Sequence, residues 1–154
     1  MPHAHDAWHE AGHALAAHLL GGTVRELSIE SDDDAFDAHV RVDWPLADAA
    51  EDARRGALVA LAGPVAELAY RREDALDDPS LIEAWQGDCD EADACLRVLH
   101  PDGETRDRAR RALLHELHAF FDDPVNYDAL ARIADALDAH GTLDDVLFSD
   151  ALAQ

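Results

Sequence analysis

The chain has 154 residues, a length that suits one domain and leaves little room for two. Hydrophobic residues make up 48 %, enough for a packed core, while 34 acids face 12 bases, all arginine, for a formal net charge of −22. So acidic a surface repels phosphate backbones and anionic headgroups, which argues against nucleic-acid and membrane partners. No stretch reaches the ~20 apolar residues of a membrane span; the nearest, residues 56–68, is broken by Pro64 and Glu67. The opening Met-Pro-His-Ala-His-Asp has neither the basic region nor the apolar run of a signal peptide. Two cysteines, Cys89 and Cys95, read as free thiols. A cytoplasmic protein is expected. The acidity fits either a high-salt cytoplasm or a GC-rich genome, although codon bias explains the missing lysine and not the surplus of acids.

In chain order, Asp6 reads as the N-cap of a helix over about 7–20, ended by Gly21-Gly22. Residues 24–30 and 39–44 alternate roughly in polarity and form a predicted hairpin, joined by an acidic turn. Helical spacing of alanine and leucine then covers 48–72, 88–99 and 104–121, with shorter amphipathic segments at 125–139 and 143–152. The Gly63-Pro64 pair either kinks the first of these or starts a helix there. Turns fall at Asp77-Asp78-Pro79-Ser80, His100-Pro101-Asp102-Gly103 and Asp122-Asp123-Pro124. No repeat or linker divides the chain. One mainly α domain with a small β-hairpin or sheet (α+β) is expected over residues 1–154, with an accessory role open to residues 125–152.

His9-Glu10-Ala11-Gly12-His13 carries the chemistry. On a helix, residues four apart share a face with Cβ atoms ~5–6 Å apart, so the two imidazoles can converge on one Zn²⁺. Glu10 stands beside that point as a candidate general base toward water. Composition alone predicts about 0.04 such matches in the chain, so coincidence is a small risk. Gly12 allows close backbone approach, and Ala11, Ala14, Ala16 and Ala17 leave space for a neighbouring element. Zinc hydrolases usually supply three protein ligands, so a third must come from elsewhere.

Three stretches resemble the peptidase domain of FtsH-type ATP-dependent zinc metalloproteases, in the same order and at similar spacing over about residues 5–121. His9-Glu-Ala-Gly-His-Ala-Leu15 resembles that family's zinc helix. Leu61-Ala-Gly-Pro-Val-Ala-Glu67 resembles the signature on the helix after its hairpin, and Gly87-Asp88-Cys-Asp-Glu-Ala92 the segment that donates its third ligand. The resemblance implies a zincin-like domain that hydrolyses peptide bonds, with His9, His13 and Asp88 binding zinc and Glu10 as general base. Asp90 competes with Asp88, since an alanine follows each by four residues. Asp88 is favoured because it follows Gly87 at the predicted helix start, where the dipole suits a carboxylate.

Several other residues carry two readings. Glu67 is either an exposed helical acid or the acceptor for a ligand imidazole N–H. Cys89 reads as a packed thiol before a ligand. His115-Glu-Leu-His118 is one residue short of the zinc-protease spacing and reads as a solvated face. His3 and His5 read as frayed, and the Asp32–Asp37 turn lacks the order of a calcium loop. An extended peptide or unfolded protein is the expected substrate, added to the hairpin edge through residues 24–30 or 39–44. The chain departs from the family in having no G-x-x-x-x-G-K loop and no lysine to complete one, and Met1 stands only eight residues before His9. ATP-driven degradation is therefore not expected of it. A zinc-binding module that is proteolytically silent and regulates a partner is the alternative, and Glu10 discriminates, because zinc binding alone needs no base.

Overall fold

The computed structural model describes residues 4–30, 38–71 and 85–154. His3, the acidic turn at 31–37 and the Asp77–Ser80 turn lie outside the described residues, as does the side chain of His5. The elements run α1 (Ala4–Leu19), β1 (Thr23–Ser28), β2 (His39–Asp43), α2 (Ala49–Arg71), α3 (Gln86–Leu99), α4 (Gly103–Asp122), α5 (Pro124–His140), β3 (Thr142–Asp144) and α6 (Asp145–Ala153). The class is the expected one, mainly helical with a small antiparallel sheet. Among the described residues no helix is long and apolar enough to cross a membrane.

Aspartates start much of this structure. Asp48, Asp102, Asp123 and Asp144 each accept a backbone N–H from the first turn of the helix that follows, a contribution of about 1 kcal/mol apiece. Asp6 differs from expectation: α1 already begins at Ala4, so Asp6 lies inside its first turn, where its charge still suits the dipole. Gly21, at φ +96°, turns the chain out of α1.

The sheet has the order β2-β1-β3, all antiparallel. Residues 143–152, expected as one helix, divide into β3 and α6. Leu143, fully buried, pairs with Leu27, and Ser28 pairs with Thr142. Three residues are too few to show a strand period, and the long-range pairing overrides the local helical pattern. The third strand also corrects the expected substrate edge. β1 is the central strand, so among the described residues β2 is the strand of the hairpin with an outer edge free of the sheet.

α2 lies at the centre, with every residue from Ala60 to Leu68 buried. It neither starts nor stops at Pro64. A proline inside a helix costs about 3 kcal/mol, and burial on all sides offsets a local penalty of that size. α1 packs on one side of α2, α3 and α4 on others. α5 contributes Leu130, Ile133, Ala134 and Leu137 to the core shared with α1, so residues 125–140 close the core.

The α1–α2 contact is made at Gly12. A Cβ there would stand 2.5 Å from Ala66 Cβ and 2.6 Å from the Ala62 carbonyl oxygen. Helix propensity alone would reward Gly12→Ala by up to about 1 kcal/mol, but neither neighbour is a flexible chain end. Overpacking costs about 1–3 kcal/mol and dominates. Gly12→Ala is expected to lower stability in urea denaturation; an unchanged or raised midpoint would show that α1 and α2 are not held this close.

Candidate metal centre

α1 places His9 and His13 one turn apart, facing α2, with ring centroids 4.8 Å apart and planes at 79°. Each ring is fixed through Nδ1. Nδ1 of His9 lies 2.6 Å from Glu67 Oε1, and Nδ1 of His13 donates to the Val59 carbonyl at 2.6 Å. Acceptors on both Nδ1 atoms select the tautomer whose Nε2 carries the lone pair a metal needs. Asp88, in the first turn of α3, completes the meeting of three helices. Its Oδ2 is 2.8 Å from His9 Nε2 and its Oδ1 is 3.5 Å from His13 Nε2.

Gly63 of α2 forms the floor. A Cβ on it would come within 2.4 Å of His13 Nε2 and 2.8 Å of His9 Nε2, so the absent side chain leaves space at the two nitrogens. Glu10 lies alongside, and His9, Glu10 and His13 offer ligand atoms within 4.8 Å of one another, a group that can hold a metal ion. Glu10 is only 9 % exposed and makes no hydrogen bond among the described residues. Burial raises its carboxyl above the ordinary range, although His13 and His9 pull it back. At His9 burial disfavours the charged ring, but the Asp88 and Glu67 carboxylates on its two nitrogens outweigh that and push its pKa up to about 10.

The site opens into a cleft of about 480 Å³ between the helices and the sheet. His39, Val40 and Val42 of β2, with Trp44 just beyond it, line it together with Val59 and Ala60 of α2. β2 therefore borders the cleft that contains Glu10.

The expected site residues sort cleanly. His9, Glu10, His13 and Asp88 come together, and Asp90 does not. Two residues further along a helix is about 200° of rotation, which leaves Asp90 exposed and accepting a bond from Gln86 Nε2 at 2.7 Å. Glu67 is not an exposed acid; at 8 % exposure it is the partner of His9. Cys89 is a free, half-buried thiol whose pKa burial pushes up, the packed reading. His115 and Glu116 are exposed, and Glu116 pairs with Arg54 at 3.2 Å. Sequence reasoning missed Gly63, to which it gave only a role in a kink, and the Val59 carbonyl. Gly63 carried a signal, a glycine beside a proline on the helix that must meet the histidines. A backbone carbonyl carries none in residue type.

Compared with known proteins, the chain matches no protein-family model and no curated protein. The site rests on its own geometry.

Gly63→Ala tests the floor. The imidazoles must turn aside to admit the methyl, so metal uptake is expected to fall while the far-ultraviolet spectrum keeps its helical form. Undiminished uptake would mean that the ion, if bound, does not sit over Gly63.

Proposed function

We propose that the protein is a zinc metallopeptidase hydrolysing peptide bonds, with His9, His13 and Asp88 holding the metal and Glu10 as general base. The observation that carries this reading is the convergence of both Nε2 atoms and the Asp88 carboxylate above Gly63, beside a buried Glu10 without a hydrogen-bond partner among the described residues. Two imidazoles and one carboxylate suit a catalytic zinc site. The same donors also serve non-haem iron. Glu10 favours zinc, because hydrolysis requires a proton acceptor next to the attacking water. The motif resemblance to FtsH-type peptidases supports the same choice.

When bound, zinc would supply Lewis acidity, polarising the scissile carbonyl and acidifying water. The chain's own residues do the rest. Glu67 and the Val59 carbonyl hold the two imidazoles in orientation. The outer edge of β2 offers backbone groups to an extended peptide, presenting one of its carbonyls toward Glu10. Glu10 takes a proton from the water as its oxygen adds to the carbonyl carbon, and returns a proton to the amine nitrogen as the C–N bond breaks. A carboxyl raised by burial is suited to both halves of that cycle, since it holds the proton long enough to pass it on.

Protein purified without a histidine tag should contain about one zinc per chain by elemental analysis. Glu10→Gln is expected to keep that zinc and to lose peptide cleavage by a factor of about 10²–10⁴; retained cleavage would sink the mechanism. Zinc without cleavage in the unmodified protein would leave the silent, partner-binding module as the function. Asp88→Ala should lower zinc occupancy far more than Asp90→Ala, and the reverse order would move the carboxylate ligand to Asp90.

A further inference from the structure

The cleft is unusual in the charge of its walls. On α3, Glu91 lies one turn beyond Asp88 and lines the same space. It is exposed, and no cation pairs with it among the described residues. With Glu10 and Asp88 it makes three carboxylates in the lining, beside the imidazoles of His13 and of His39, the latter 2.6 Å from Glu26; no arginine lines the cleft among the described residues. Asp88 is committed to the metal reading and Glu10 to the proton. Glu91 is the carboxylate left over.

The same lining includes apolar and aromatic side chains. Val40, Val42 and Trp44 are only partly covered by the core. The Arg55 guanidinium already lies 4.6 Å from the Trp44 ring centroid, so this ring carries a cation in the folded protein. That arginine does not offset the cleft, because Asp52 binds it at 3.1 Å. A lining that combines apolar side chains with an exposed carboxylate fits a long side chain with methylene stem and cationic head. Glu10, nine-tenths buried and without a hydrogen-bond partner among the described residues, lines the same cleft.

We propose that the cleft selects peptides with a lysine or arginine beside the bond to be cleaved, and that Glu91 is the specificity residue that receives the cationic head. This rests on the peptidase reading. Acidic side chains are excluded by the same carboxylates that attract basic ones, so selection works by repulsion as well as attraction.

The test measures binding. Three dipeptide hydroxamates, chelators differing only in a lysine, leucine or glutamate side chain, are titrated calorimetrically into zinc-loaded protein. The expected order is lysine, then leucine, then glutamate, with lysine over glutamate by on the order of ten-fold. Glu91→Gln is expected to cut the lysine-over-leucine preference about two- to five-fold. Asp128→Asn, which removes one charge from an exposed position on α5 outside the cleft lining, should leave the preference unchanged, separating a local contact from net charge. Zinc and hydroxamates bound without preference, or a preference that Glu91→Gln and Asp128→Asn reduce alike, overturns the selectivity and leaves the peptidase reading standing. Protein that takes up no zinc and binds no hydroxamate overturns both.

Discussion

The structure depends on how closely α1 approaches α2. Helix axes normally pack 8–10 Å apart, by an amount the contact side chains decide. Here the contact residues are Gly12 on one helix and Ala62, Gly63 and Ala66 on the other, with no room for a further methyl at either glycine. From that approach follow the position of both imidazoles over Gly63 and the reach of Glu67 and the Val59 carbonyl to their Nδ1 atoms. One helix pair therefore fixes ring positions, tautomers and floor together. The rest of the fold, α3 with its Asp88 and the sheet with its free edge, is arranged around that pair.

Electrostatics gives the same region its second character. Glu10 and Glu67 are buried and Asp88 is half-buried, so three carboxylates surround two imidazoles. In a chain already at −22, such a group is self-repelling unless something positive joins it. The Asp88 and Glu67 carboxylates favour the charged form of the His9 ring against its burial. A divalent ion among these side chains would supply positive charge of the same kind and compete with protons for the imidazole nitrogens. Elsewhere the acids serve ordinary ends, as the aspartates that cap helices show.

Much of this could be read from the sequence because the information was local. The i, i+4 histidines, the small residues of α1 and the Pro-Asp-Gly turns each declare themselves within a few residues. Asp88 stood out over Asp90 through position at a helix start, and their separation on the helix explains why the geometry brings only one of them to the histidines. What was not legible depended on distant partners. β3 is a strand because β1 lies beside it, not because Thr142–Asp144 has a strand pattern of its own. Glu67 is buried because α1 covers it, and helical periodicity alone could not separate that from exposure. Pro64 persists inside α2 because burial from several sides overrides a local signal to stop.

The third strand has a further consequence, for the time course of folding. Ser28 Oγ and Thr142 Oγ1 meet at 2.8 Å across 114 positions of sequence, and Ile29 donates its N–H to the Gly141 carbonyl at the same junction. On a ribosome, β1 can pair with β2 early, yet its other edge has no partner until residues 142–144 have been made. The same is true of α1, whose core neighbours on α5 come from residues 130–137. Contacts of such long range form late and slowly. The histidine helix is therefore made well before the residues that complete its enclosure.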